Sequence, residues 1–282
     1  MLTAILCLGG IGLVAAATLG VASKKFAVEV DPREAAVMEA LPGANCGACG
    51  EPGCSGYAKG VAEGRLAPNL CTPGGSDTIQ AIADILGVEA VATAPQVAVV
   101  MCQGDNNKAT TKYHYLGIYD CNAAQKLADG PKTCPSGCLG LGSCAKACPF
   151  DAIEMTDEGL AVINREKCTG CEKCVAICPR QVIKMTPKAA TTHVLCNSHD
   201  KGGAVRKYCQ VGCIGCNICK KTVPEAYKIE TFLAYVDYEH HEDAALAIEK
   251  CPMKCIRDFS TGYPEGSSFT ASEASTSKSS AA

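Results

Sequence analysis

Apolar residues fill nearly every position from Leu2 to Ala22, and no charged side chain appears until Lys24 and Lys25 close the stretch. At about 1.5 Å per helical residue, such a run is close to the ~30 Å hydrocarbon core of a bilayer. Residues 1–23 are therefore expected to form a transmembrane anchor, and the two lysines place the downstream chain in the cytoplasm by the positive-inside rule. A cleaved signal peptide is the alternative; it wants a basic start, and Met1-Leu2-Thr3 has none. Gly12, Ala16 and Gly20 share one helix face, a spacing that lets a second helix approach closely, and Cys7 reads as a packing residue of the same span. Beyond the anchor the pattern breaks into short pieces. Asp31-Pro32-Arg33-Glu34 combines a capping Asp, a Pro at the first helical position and a Glu in the first turn, which predicts a helix that stops before Pro42-Gly43. Ile79, Ile82, Ala83 and Leu86 recur at helical spacing, with Gly87 as the stop. Val97 to Met101 reads as a buried strand and Gln103 to Thr111 as polar loop. From Cys134 to Cys255 short strands alternate with cysteine-bearing turns.

Composition changes the picture through cysteine. The 282 residues include 22 cysteines and no tryptophan, with a formal net charge of −3. A disulfide needs a particular Cα separation and usually staples distant segments, whereas thiols three residues apart converge on one metal centre. A cytoplasmic location keeps such thiols reduced. Nothing resembles the basic face of a nucleic-acid binder. Gly10-Ile11-Gly12-Leu13-Val14-Ala15 loosely matches a dinucleotide fingerprint, but it lies inside the apolar span with no strand before it. No side chain reads as an acid–base or nucleophilic catalyst.

The first cysteine constellation is Cys46-x2-Cys49-x4-Cys54 followed by Cys71, set among Gly43, Gly47, Gly50, Gly53 and Gly56. Four thiolates hold a [4Fe–4S] cluster, and backbone N–H groups bond to its sulfurs; glycines let the chain wrap closely and adopt positive φ. Zinc is the alternative, although zinc sites usually present two C-x-x-C pairs rather than a triplet and a distal cysteine.

The second constellation, Cys168-x2-Cys171-x2-Cys174-x3-Cys178-Pro179, is the full ferredoxin run, in which the fourth cysteine serves the other cluster of a pair. Counting back thirty residues reaches Cys138, Leu141, Cys144 and Cys148-Pro149, so one ligand is missing there, and Cys134 lies just upstream to supply it. One cluster is thus expected on Cys148, Cys168, Cys171 and Cys174, and a second on Cys134, Cys138, Cys144 and Cys178. A further run, Cys213-x2-Cys216-x2-Cys219, has Val223-Pro224 at its fourth place, and its partner run holds His241, Ala244, Ala247 and Cys251-Pro252. Crossover leaves Cys213, Cys216, Cys219 and Cys251 for one cluster. The other half cannot hold iron, so this module has lost a cluster.

Cys102, Cys121, Cys196, Cys209 and Cys255 remain. Cys121-x12-Cys134-x3-Cys138 recurs as Cys196-x12-Cys209-x3-Cys213, and Cys102 and Cys196 both end apolar strands. Cys102, Cys121, Cys196 and Cys209 stay open as a fifth cluster or as buried spare thiols, and the repeat leaves open whether Cys134 belongs to that centre instead. His240 and His241 read as exposed polar residues. The expected architecture is α+β: the anchor (1–23), a small helical 4Fe–4S domain (24–90), a connecting segment (91–131), a two-cluster ferredoxin-like module (132–188), a degenerate single-cluster module (189–257) and a disordered tail (258–282).

These features resemble the B subunit of the Rnf complex, an ion-translocating ferredoxin:NAD oxidoreductase. The resemblance rests on the anchor, on Leu41-Pro-Gly-Ala-Asn-Cys46-Gly-Ala-Cys49-Gly with Cys54 and Cys71, and on Cys138-Leu-Gly-Leu-Gly-Ser-Cys144-Ala-Lys-Ala-Cys148-Pro-Phe-Asp-Ala-Ile153. Val211-Gly-Cys213-Ile-Gly-Cys216 is similar to the longer, polyferredoxin-like members. It implies a protein at the cytoplasmic membrane that accepts electrons from soluble reduced ferredoxin and passes them through [4Fe–4S] clusters to the other subunits, while the complex moves Na⁺ or H⁺. NAD and flavin would belong to those other subunits. The departure at Val223, His241, Ala244 and Ala247 argues against a fourth ferredoxin-type cluster. Two readings stand beside it: an electron donor to another low-potential enzyme such as nitrogenase, and a zinc-binding membrane scaffold.

Overall fold

The computed structural model describes residues 2–25, 31–91, 94–263, 267 and 269. Helix α1 (Leu2–Lys25) opens the chain; within it the described side chains are those of residues 9–23 and Lys25, so Cys7 lies outside them. Among the described residues no helix is long and apolar enough to cross a membrane.

Three helices build the first domain: α2 (Pro32–Ala40), α3 (Cys54–Ala62) and α4 (Gly75–Leu86). The Asp31 carboxylate accepts the Arg33 N–H at 2.8 Å and starts α2, and Gly87, at φ 68°, ends α4 in the left-handed conformation that favours glycine. Val37, Tyr57, Val61 and Ile82 pack with Cys54 and Cys71 into one core. Tyr57 anchors the loop that returns to Cys71: its hydroxyl donates to the Ala67 carbonyl at 2.8 Å and accepts the Leu70 N–H at 3.2 Å.

Two modules of like design follow. In the first, β1 (Gln96–Val100) is followed by α5 (Cys121–Lys126), α6 (Ser143–Ala147), the hairpin β2 (Ile153–Met155) with β3 (Ala161–Ile163), α7 (Lys173–Ile177) and β4 (Ile183–Pro187). β1 pairs antiparallel with β4, from Gln96 opposite Pro187 to Val100 opposite Ile183. β1 therefore belongs to the ferredoxin-like module rather than to a connecting segment before it; a strand whose partner lies so far along the chain announces its burial but not its place. The second module repeats the plan with β5 (Thr192–Val194), α8 (Gly202–Tyr208), α9 (Ile218–Thr222), the hairpin β6 (Tyr227–Glu230) with β7 (Leu233–Val236), and β8 (Ile256–Asp258), which pairs with β5. Where the first module has α7, this one has only a 3₁₀ turn at Ala244–Ala247.

The modules meet through Val99, Met101, Leu195 and Phe259. Beside this seam the buried Arg165 guanidinium donates to the carbonyls of Lys188 and Ala190 at 2.7 Å, meets the His193 ring at 3.1 Å and lies over the Phe259 ring. Phe259 is buried, so ordered structure continues past residue 257; of the expected tail, residues 264–266, 268 and 270–282 lie outside the described residues.

Candidate iron–sulfur sites

In the first domain Cys46, Cys49, Cys54 and Cys71 stand together where the loop before α3 meets the loop before α4. Asn45, at φ 46°, turns its side chain to accept the Cys54 N–H at 2.9 Å, which locks the loop onto the start of α3. A Cβ at Gly53 would lie 2.9 Å from that Asn45 oxygen, so a glycine is needed at the close approach. Burial raises the Cys71 thiol above its ordinary value, and the charges of Cys46, Cys54 and Cys49 push it the same way.

The remaining cysteine groups line four pockets of similar size that open partly to solvent. Cys148, Cys168, Cys171 and Cys174 surround one of them, walled by Ala98, Phe150 and Ile163. The β1 amide of Ala98 donates to Cys168 Sγ at 3.4 Å, and burial pushes the Cys174 thiol up to about 12.

Cys138, Cys144 and Cys178 line another, and the fourth cysteine there is Cys121. This differs from the sequence-based expectation, which put Cys134 with these three and Cys121 with Cys102, Cys196 and Cys209. In the structure Cys121 and Cys134 exchange places, and Cys134 lines a separate cavity with Cys102, Cys196 and Cys209. The cause is local. Asp120 caps α5 by accepting the Ala123 N–H at 2.8 Å, Ser143 Oγ donates to the same carboxylate at 2.9 Å, and the Cys121 N–H donates to Ser143 Oγ at 2.7 Å. That chain ties the first residue of α5 to the start of α6, next to Cys144. The Cys134-Pro135-Ser136-Gly137 turn meanwhile aims Cys134 away. A Cβ at Gly137 would be 3.3 Å from Cys134 Sγ and 3.8 Å from Cys102 Sγ. The sequence signal that could have found Cys121 is its position just after a capping Asp.

In the second module Cys213, Cys216, Cys219 and Cys251 share a cavity with Cys255. Cys255 is buried, 3.5 Å from Cys251, and its thiol favours the thiolate forms of Cys251 and Cys213, drawing both below their ordinary range. Sequence reasoning left Cys255 without a role. The other half of this module is packed core: Ala244 and Ala247 are completely buried, Val223 packs beside them, and the Tyr227 hydroxyl donates to the Ala244 carbonyl at 2.7 Å. His241 turns its Nδ1 to the Tyr238 carbonyl at 2.8 Å. Side chains thus occupy the space that a second cluster would need.

The donor sets fit iron–sulfur clusters. Burial pushes Cys138 up to about 12 and Cys219 up to about 11, with neighbouring cysteines adding to the shift. Several thiolates can share such a cavity only around a positive centre, and a bound metal deprotonates its thiols outright. Spacing separates a cluster from a single ion. Four sulfurs at about 2.3 Å from one zinc stand about 3.8 Å apart. Among the described residues, no three cysteine sulfurs lie within 4.8 Å of one another; the group that does is half-buried Asp237 with exposed Glu239 and His240. Lys228 already pairs with Asp237 there at 2.6 Å.

Residues 41–73 match the family described as "Putative Fe-S cluster", residues 133–185 a 4Fe-4S dicluster domain, and residues 210–258 the 4Fe-4S single cluster domain of Ferredoxin I. The chain is 42% identical over 257 residues to the B subunit of the ion-translocating oxidoreductase complex of Methanosarcina acetivorans, covering 91% of this chain and 97% of that protein. It belongs to the family of B subunits of ion-translocating oxidoreductase complexes. Other members include the B subunit of the proton-translocating ferredoxin:NAD(+) oxidoreductase complex of Clostridium ljungdahlii, 43% identical, covering 89% of this chain and 90% of that one. The Na(+)-translocating counterpart of Acetobacterium woodii is 41% identical, covering 91% and 78%. Like the family's name, the matched domains mark an electron-transfer protein, with iron–sulfur domains carried in an α+β fold.

Proposed function

We propose that this B subunit accepts electrons from reduced ferredoxin and delivers them to the membrane subunits of an ion-translocating ferredoxin:NAD oxidoreductase. The observation that carries the reading is the succession of four-cysteine sets along one chain. Cys46, Cys49, Cys54 and Cys71 would hold the first [4Fe–4S] cluster; Cys148, Cys168, Cys171 and Cys174 the second; Cys121, Cys138, Cys144 and Cys178 the third; Cys213, Cys216, Cys219 and Cys251 the fourth. A bound cluster supplies one-electron storage at a potential set by burial, net charge and hydrogen bonds to its sulfurs.

The chain's own residues supply order and insulation. The first two sets adjoin: Thr72 Oγ1, next to Cys71, donates to the Gly170 carbonyl, next to Cys171, at 3.3 Å. The second and third interlock because Cys148 and Cys178 each leave one turn to serve the other's site, with α6 packed on α7. The apolar lining shields the buried thiols, among them Cys54, Cys144, Cys174 and Cys219, from water, while Cys216 is exposed. We place α1 in the cytoplasmic membrane, on the strength of its uncharged run from Leu2 to Ser23 and the lysines that follow. That puts the first set near the membrane partners and the second module toward soluble ferredoxin. Cys54→Ala is expected to abolish ferredoxin-dependent NAD reduction by the assembled complex while the other clusters still reduce with dithionite. Undiminished turnover would overturn this order.

A further inference from the structure

The cavity between the two modules is lined by Cys102, Cys134, Cys196 and Cys209. Each cysteine comes from a different stretch of chain, and the four form two equivalent pairs. Cys102 follows β1 and Cys196 follows β5, and each amide donates to the carbonyl two residues back, Val100 at 2.8 Å and Val194 at 3.0 Å. Cys134 and Cys209 each stand four residues before the first cysteine of a ferredoxin turn, Cys138 and Cys213, with a glycine between.

The amides around the sulfurs follow the same symmetry. Cys102 Sγ accepts the N–H of Gly104 at 3.3 Å and of Cys138 at 3.4 Å. The corresponding N–H groups of Ser198 and Cys213 lie near Cys196 Sγ and favour its thiolate. The Ser136 N–H lies near Cys134, and those of Val211 and Gly212 near Cys209, each favouring the thiolate. Backbone donors converging on every thiol of a set are the hydrogen-bond environment of a cluster. As thiolates, four sulfurs lining one cavity need a positive centre to balance their charge. No three of these sulfurs come within the 4.8 Å that a single ion would require.

We propose that Cys102, Cys134, Cys196 and Cys209 hold a fifth [4Fe–4S] cluster that joins the two ferredoxin-like modules into one electron route. The proposal rests on the electron-transfer reading above and adds a link which that reading lacks. The site adjoins each neighbour: the Cys138 N–H, at the third cluster's set, donates to Cys102 Sγ at 3.4 Å, and the Cys213 amide, at the fourth's, lies near Cys196 Sγ. Each transfer moves one electron from a reduced cluster to an oxidised one, with no bond made or broken. A low-potential iron–sulfur donor supplies the electron and the membrane subunits remove it.

The test is iron, acid-labile sulfide and zinc on the anaerobically purified full chain, with EPR of the dithionite-reduced protein. Five clusters give about twenty iron and twenty sulfide per chain. About sixteen of each, with or without one zinc, overturns the fifth cluster and leaves the four-cluster reading standing; a count well below sixteen fails that reading instead. Cys196→Ala and Cys134→Ala should each lose about four iron and one EPR component, and Cys121→Ala should lose a different component. Loss of the same component from Cys134→Ala and Cys121→Ala would overturn the ligand set. Should a variant fail to fold, the wild-type count decides alone.

Discussion

The Lys132 ammonium is buried with its Nζ 2.8 Å from the Gly104 carbonyl, among Cys102, Cys138 and Cys209. Burial draws its pKa down while those thiols and Asp105 push back. A fixed positive charge beside thiolates stabilises the more reduced state. Lys132→Met should therefore lower the potential of the adjoining cluster, by on the order of 100 mV for a unit charge some 6 Å away at an effective dielectric near 20. An EPR-monitored redox titration reads the shift, and an unmoved set of midpoints would remove Lys132 from any electrostatic role. His193 acts on stability instead. Completely buried, with Nδ1 2.9 Å from the Tyr238 hydroxyl, it is driven down to about 3 by burial and then by Arg165. The unfolded chain binds this proton near pH 6.5 and the folded one only near 3, so the contribution is complete above about 6.5 and is lost as pH falls toward 3. Between pH 7 and 5.5 the loss is roughly 1 kcal/mol. Anoxic thermal melts should show a smaller drop over that interval for His193→Gln than for the wild type, and equal drops would refute it. Neither residue stands out in the sequence, because burial of a lone Lys or His follows from distant segments closing over it.

At the scale of elements, α5 and the turn before α6 decide which thiols meet. Asp120→Ala removes both the α5 cap and the Ser143 contact. It should cost about 1 kcal/mol of stability and reduce iron occupancy by up to one cluster; full iron content would show that Cys121 needs no such support. Gly140 sits at φ +74°, and a Cβ there would collide with the Gly159 carbonyl. Gly140→Ala should destabilise the first module by about 2 kcal/mol or more, with the first domain's cluster retained; a denaturant melt with iron analysis tests this. Helices α2 and α4 were readable because caps and 3.6-residue periodicity are local signals. β1 was readable as a buried strand, but its pairing with β4 was not, since the register spans the whole module.

At the scale of the whole molecule, α1 and the modules are expected to be separable. A chain lacking residues 1–25 should stay in the supernatant when membranes are sedimented, with the iron content of the full chain; loss of iron would show that α1 also supports the first domain. The sequence by itself determined the kind of chemistry, the spacing that lets Cys148 and Cys178 reach across paired turns, and the replacement of cysteine by Val223, His241, Ala244 and Ala247 in the second module. Each of these is written in short spacings within a turn or in the residue type at a fixed place, and a turn's geometry is local. The tertiary structure alone decided that Cys121 joins Cys138, Cys144 and Cys178 while Cys134 faces Cys102, Cys196 and Cys209. Thiols brought together by the packing of two modules have no characteristic separation along the chain, so only the folded arrangement can say which of them share a cavity.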